Sequence, residues 1–253
     1  MTKSKIALVT GGSRGLGRDM AINLAKKGID VIITYHSNQQ LANEVITEIE
    51  EIGQKAKALQ LDTSNIKGFE YFLSQVTTYL TSEYGNPKFD FLINNAGTGL
   101  NRLFTETSEE QFDEMLNIHF KGVYFLTQKT MPYINDKGRI INISSGLTRF
   151  SFPGASAYAC MKGAIEVFTQ YLAKELGHRG ITSNVVAPGA IATDFGGGSN
   201  RDNQEKRKII SNITALGRVG EAEDIGGVVA FLCTEEARWI NGQRIEVSGG
   251  MLV

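Results

Sequence analysis

The chain predicts an α/β fold: a doubly wound parallel sheet with helices on both faces. Three observations lead there. Short β-branched runs alternate with longer helical patterns along nearly all 253 residues. Several of those runs are apolar almost throughout, as strands covered on both faces require. A glycine-rich turn follows the first run, where a strand would hand over to a helix. Repeated βα units with right-handed crossovers produce the doubly wound arrangement.

Each element follows in order. KIALVT reads as the first strand, with a helix over 15–27. DVIITY is the second strand and 39–52 the second helix. KAKALQLD is the third, followed by a long helix that runs through Tyr84. FDFLINNAG is the fourth, apolar until its polar end. Residues 109–133 read as helix, RIINISS as the fifth strand and 157–178 as helix. ITSNVVAPG, a helix over 222–233 and QRIEV complete the pattern. No linker or low-complexity segment divides the chain, so 1–253 reads as one domain. The irregular stretch 193–218 begins TDFGGGSNRDNQEKRK; its glycines and its position after a strand suit either a substrate lid or a solvated surface loop.

Composition narrows the function classes. Hydrophobic residues make up 42% and charged residues 21%, ordinary for a globule. A net charge of −1 offers no nucleic-acid footprint and no basic membrane-seeking face. No apolar run reaches membrane-spanning length, and MTKSKIALVTGG enters a strand with no leader, so a cytoplasmic enzyme is expected. Cys160 and Cys233 lie far apart in apolar helical contexts and read as core residues. His36, His119 and His178 are scattered, so no metal site is expected.

The chemistry begins at the turn. Thr10-Gly11-Gly12-Ser13-Arg14-Gly15-Leu16-Gly17 places glycines where a backbone must turn tightly and approach a pyrophosphate. The helix start behind it supplies N–H donors and a positive dipole end. The second strand ends Thr34-Tyr35-His36-Ser37-Asn38, without the carboxylate that would bind the ribose hydroxyls of NAD. Arg14 stands in the phosphate loop, where it could meet a 2′-phosphate. Together these favour NADP(H). Asp62 either accepts a hydrogen bond from adenine or caps the next helix.

Tyr158 and Lys162 are four residues apart in a helical stretch, on one face. A phenol has a reference pKa of about 10 and is a sluggish acid near neutrality. A fixed cation beside it favours the phenolate and makes proton exchange with a carbonyl oxygen practicable. Phe150, Phe152, Leu147 and Phe195 mark an apolar mouth for a modest-sized carbonyl compound, or pack against a neighbouring subunit.

These residues resemble the short-chain dehydrogenase/reductase superfamily over essentially the whole chain. The likeness rests on T-G-x-x-x-G-x-G at 10–17 and Asn-Asn-Ala-Gly at 94–97. It rests also on Ser145 thirteen residues before Tyr158, on Tyr-x-x-x-Lys at 158–162, and on Pro188-Gly189 followed by Thr193. It implies a single-domain Rossmann fold with strand order 3-2-1-4-5-6-7. It assigns Tyr158 as acid/base and Lys162 as its electrostatic partner and ribose ligand. Ser145 polarises the carbonyl, although neighbouring Ser144 could face the site instead. Asn117 holds a proton-relay water. Asn94, Ala96 and Gly97 contact the cofactor, and Pro188, Gly189, Ile191 and Thr193 fix the nicotinamide face. The implied activity is reduction of ketones or ketoesters by NADPH.

The alternative, a 3-oxoacyl-(acyl carrier protein) reductase, would need a basic surface beside the entrance to dock an acidic carrier. Arg179 is a candidate, and Asp136 argues against it. A catalytically silent NADP-binding regulator would be expected to lose Tyr158 or Lys162, and both are present. The resemblance also implies a homotetramer.

Overall fold

The computed structural model describes residues 4–253. Seven strands form one parallel sheet in the order 3-2-1-4-5-6-7. They are β1 (Lys5–Val9), β2 (Ile29–Tyr35), β3 (Ala56–Gln60), β4 (Phe89–Asn94), β5 (Ile134–Ile143), β6 (Thr182–Pro188) and β7 (Arg244–Val247). Successive side chains leave a strand on opposite faces, so one sheet sorts into two cores. Ala7, Val9, Ile33 and Ile93 point to one face. There they meet Met20 and Leu24 of α1 (Gly15–Lys26), Val45 and Ile49 of α2 (Gln39–Glu51) and Val229 further along the chain. Ile6, Leu8, Ile32 and Leu92 point to the other. They meet Phe72 and Val76 of α3 (Phe69–Tyr84) and, later in the chain, Leu126 and Leu172. Each such fully buried side chain contributes about 1.5–3 kcal/mol.

The expected helix over 109–133 is broken. α4 (Glu109–Leu116) starts at a Ser108 capping box, with Ser108 accepting from the Gln111 N–H and the Gln111 side chain reaching back. A π-turn occupies Asn117–Lys121, closed by the Gly122 N–H donating to Asn117 O. α5 (Gly122–Thr130) then resumes. The π-turn sits where Gly122 lies so close to Thr63 that a Cβ would be 2.0 Å from the Thr63 carbonyl oxygen. α6 (Ser156–Glu175) carries Tyr158 in its first turn.

The stretch 193–218 forms a 3₁₀ turn over Phe195–Gly198, then α7 (Ser199–Asp202) and α8 (Gln204–Asn212). Gly196, Gly197 and Gly198 all hold positive φ, between 60° and 76°, which only glycine adopts readily. α9 (Glu223–Leu232) packs against α1 and leads to β7. Cys233 is buried as expected; Cys160 is exposed, because its place on α6 faces away from the sheet.

Candidate active site

All the chemistry lies at the carboxyl ends of the parallel strands, where open α/β sheets bind ligands. The glycine-rich turn joins β1 to α1. Gly11 and Gly15 take φ of 65° and 54°. A Cβ on Gly11 would stand 2.9 Å from Ala96 Cα, and one on Gly17 only 2.1 Å from Gly11 O. The Ser13 and Leu16 side chains are part-exposed, and Arg14, at the helix start, makes no side-chain cap. The first N–H groups of α1 therefore remain available to an anion.

A polar brace fixes this turn to the end of β4. Thr10 Oγ1 accepts from the Asn95 and Ala96 N–H groups at 2.9 and 3.0 Å. Asn95 Nδ2 donates to Thr10 O and Gly11 O at 2.9 and 3.1 Å. The asparagine that serves the turn is thus Asn95. Asn94 is one residue earlier and so on the other face of the strand. Its amide is buried and donates to Thr127 and Asn142 at 3.0 and 2.8 Å, tying β4 to β5 and α5. Asn94 thus ties the core together through its amide nitrogen, while its buried Oδ1 has no hydrogen-bond partner among the described residues.

Tyr35, His36 and Ser37 run outward at the end of β2, with no carboxylate among them. The Asp62 carboxylate accepts from Ser64 N and Oγ at 2.9 and 2.7 Å, closing a local turn; it does not cap the next helix, α3, whose N-cap is Gly68. Burial works to raise its pKa, but these Ser64 bonds prevail and lower it.

Ser144 and Ser145 part company at the end of β5. Ser144 is buried and donates to Glu166 of α6 at 2.7 Å. Ser145 stays beside Tyr158, and its hydroxyl lowers the Tyr158 pKa somewhat. The Glu166 carboxylate also accepts from Thr148 Oγ1 and Arg244 Nε, at 2.7 and 2.8 Å. Arg244 reaches the Ser145 carbonyl at 3.3 Å. The loop carrying Ser145 is therefore gripped by charge-assisted bonds from two other elements.

Lys162 is buried, with Nζ donating to Ile143 O at 2.7 Å and lying 5.6 Å from the Tyr158 ring centre. Burial pulls its pKa down to about 8. Burial likewise raises the Tyr158 phenol above its ordinary value. Desolvation opposes charge on both groups.

Asn117 starts the π-turn but makes no side-chain hydrogen bond among the described residues; the residue brought against Tyr158 is His119. Its ring is edge-on to the tyrosine with centroids 4.9 Å apart. The widened turn rotates position 119 inward, a shift that ordinary helical spacing does not reveal. The only sequence signal was a histidine beside the proposed relay residue.

The stretch after β6 packs over Tyr158. Phe195 packs on Tyr158 at 5.8 Å between ring centres, and a Cβ on Gly99 would meet Gly196 Cα at 3.0 Å. Thr193 and Ile191 are buried beneath it, Gly189 N donates to Val247 O, and Pro188 ends β6. Asp194 forms an ion pair with Arg14 at 3.7 Å. Apart from this stretch, a cavity of about 320 Å³ is lined by Leu103, Phe104, Leu147, Phe152 and Ala159. Phe150 turns away from it and packs over Gly146.

Arg179 does not stand at this mouth. It precedes β6, at the opposite end of the sheet, and is paired with Asp136 at 2.8 Å while donating to Met131 O and Ile134 O. A carrier protein docking beside Tyr158 would not meet it.

Known proteins share this arrangement. The family model described as Enoyl-(Acyl carrier protein) reductase matches residues 11–252. The hydroxynaphthalene reductase-like protein Arp2 of Metarhizium brunneum is 34% identical, over 97% of this chain and 94% of its own. The solved structure of LugOII, a promiscuous reductase that catalyses keto-reduction at C1 during lugdunomycin biosynthesis, is 39% identical with a TM-score of 0.94, covering 100% of both chains. The landomycin C-6 ketoreductase LanV, solved with NADP and rabelomycin, is 36% identical with a TM-score of 0.90, covering 98% of this chain and 96% of its own. Sheet order, glycine-rich turn and Tyr-x-x-x-Lys helix, together with these likenesses along the whole chain, make it a member of the short-chain dehydrogenase/reductase superfamily.

Proposed function

We propose that the protein is an NADPH-dependent ketoreductase whose substrate is a flat, largely apolar ketone, Tyr158 being the acid. One observation carries the reading. The Tyr158 ring is held between the lid's Phe195 and the His119 ring, with Ser145 beside it and Lys162 behind.

Bound NADPH would supply the hydride. The glycine-rich turn and the open start of α1 fit its pyrophosphate, because any Cβ at Gly11 or Gly17 would fill the approach. Arg14 fits a 2′-phosphate, and Tyr35, His36 and Ser37 put no negative charge in its way. Thr193, Ile191, Gly189 and Pro188 form the floor under the lid that would orient the nicotinamide. As negative charge develops on the carbonyl oxygen, Ser145 and Tyr158 are two preorganised donors. Tyr158 then passes its proton to that oxygen. Buried Lys162, still mostly protonated at neutral pH although burial pulls its pKa down to about 8, stabilises the phenolate left behind.

The apolar cavity along Leu103, Phe104 and Phe152, and the aromatic lid, support a cyclic aromatic ketone over a charged one. The keto-reduction carried out by LugOII, and the rabelomycin held by the ketoreductase LanV, support the same class. We read 1–253 as one NADP-binding domain with its lid over 193–218. We also read it as a cytoplasmic homotetramer; Val167 and Tyr171, exposed on one face of α6, support subunit contact there. No helix among the described residues is long and apolar enough to cross a membrane.

NADPH oxidation is measured with a polycyclic aromatic ketone, ethyl acetoacetate and an acyl-carrier thioester. The aromatic ketone is expected to give the highest kcat/KM. Preference for the thioester would sink the substrate assignment, and turnover of none of the three would sink the activity. A second test concerns cofactor. His36→Asp places a carboxylate where the 2′-phosphate would sit, and kcat/KM for NADPH relative to NADH is expected to fall by tenfold or more, about 1.4 kcal/mol. An unchanged ratio would show that the end of β2 does not read the cofactor.

A further inference from the structure

Ser145 heads a tight turn, and that turn decides where its hydroxyl hydrogen points. A 3₁₀ turn over Gly146–Thr148 follows the serine, and Ser145 Oγ accepts from the Leu147 N–H at 3.2 Å. This contact occupies one lone pair of the hydroxyl oxygen. The hydrogen is left to turn toward Tyr158, whose pKa the same hydroxyl lowers.

Thr148 closes the turn, and its hydroxyl faces two acceptors. Oγ1 lies 2.9 Å from Ser145 O and 2.7 Å from Glu166 Oε1. A hydroxyl carries one hydrogen. The carboxylate is the nearer and stronger acceptor, and takes it. Ser145 O is then served by Arg244, whose Nη2 lies 3.3 Å from that carbonyl and 3.1 Å from Thr148 Oγ1. The same guanidinium donates through Nε to Glu166 at 2.8 Å and through Nη1 to Glu246 at 2.9 Å. Glu166 Oε1 receives a further hydrogen bond from Ser144 at 2.7 Å. Arg244 from β7 and Glu166 from α6 thus converge on the Thr148 hydroxyl, one donating to it and the other accepting from it.

We propose that Glu166 and Arg244 are positioning residues for Ser145, acting through the Thr148 hydroxyl to hold the turn that aims the Ser145 hydrogen at the carbonyl oxygen. This rests on the reading of Ser145 as a donor to the ketone. Without the carboxylate, the Thr148 hydrogen falls back on Ser145 O and Arg244 loses a partner. The turn can then release Ser145 Oγ from the Leu147 N–H. No proton changes owner along this chain of contacts; it sets a direction.

Variants separate aiming from support of the fold. Glu166→Gln keeps the shape and removes the charge. Its kcat for ketone reduction is expected to fall about tenfold, part of the hundredfold or so that loss of an oxyanion donor costs, with KM for NADPH unchanged. Thr148→Val removes the hydroxyl between the two residues and is expected to match it. Arg244→Lys keeps a donor and is expected to stay faster than Arg244→Met. NADPH-shifted melting temperatures establish that the variants fold. The deciding comparison uses a Ser145→Ala background, where Glu166→Gln is expected to cost nothing further. A residue that only supports the fold would lower kcat in both backgrounds. Equal losses in the two, or a Glu166→Gln enzyme as fast as the wild type, would overturn the proposal. A Ser145→Ala enzyme as fast as the wild type would remove the reading of Ser145 and the proposal with it. Crystal structures of the wild type and of Glu166→Gln test the positioning without turnover. Ser145 Oγ is expected to stay within hydrogen-bond reach of Leu147 N in the first and to swing away in the second; an unmoved hydroxyl would overturn the proposal. Should the wild type reduce no ketone at all, the ketoreductase reading fails, while the crystallographic comparison still decides whether Glu166 holds the turn.

Discussion

Tyr158→Phe is expected to lower kcat for ketone reduction by about a thousandfold or more while leaving NADPH affinity close to that of the wild type. The substitution removes one oxygen. The ring keeps its edge contact with His119 and its contact with Phe195, so the pocket keeps its shape. Lost are the proton for the developing alkoxide and one of two donors aimed at it. Ser145 remains, and its loop is still gripped by Glu166 and Arg244, so a residual rate is expected. Stopped-flow hydride transfer and NADPH titration by fluorescence, run side by side, check both halves. Near-normal turnover would refute the acid assignment; lost NADPH binding would mean that the hydroxyl acts chiefly on the cofactor.

Gly17→Ala is expected to destabilise the protein by about 3 kcal/mol and to weaken NADPH binding by more than tenfold. The added methyl would stand 2.1 Å from Gly11 O and 2.5 Å from Asn95 Nδ2. Neither neighbour can yield easily. Gly11 O accepts from that same Asn95 amide, and Asn95 is itself bonded to Thr10. Relief would require opening the brace between the glycine-rich turn and β4. Gly163 of α6 is the control, since a methyl added there would meet nothing within 4 Å among the described residues beyond its own helix backbone. Gly163→Ala is expected to stabilise by about 0.5–1 kcal/mol. Thermal melts with and without NADPH measure both. Equal effects at the two glycines would mean that the turn is softer than its contacts imply.

The sheet and the turn were legible because their signals are periodic or compositional. Apolar runs such as FDFLIN can only be covered strands, and a glycine cluster between strand and helix has few other uses. Tyr158 and Lys162 were legible because helical spacing alone brings them together. What escaped was anything decided by one residue of register. Asn94 and Asn95 are chemically identical, and only the pleat tells which one turns toward the glycines. Asn117 and His119 lie two apart in a stretch that reads as continuous helix, and the π-turn that selects His119 has no composition of its own. Cys160 is exposed because an amphipathic helix buries one stripe only, and its neighbours gave the impression of a core. The depth of burial at Tyr158 was also beyond reach, since it depends on how the Phe195 stretch and the π-turn pack around it.

The π-turn at Asn117–Lys121 makes the active site sensitive to a kind of genetic change that substitution surveys do not sample. Each residue of an α-helix advances about 100°. Deleting one residue from this turn would restore regular winding and swing α4 by about that angle relative to α5. A different side chain would then face the tyrosine, with no amino acid at the site exchanged. Length variation, more than residue replacement, is thus the route by which this part of the pocket could acquire a new partner for Tyr158.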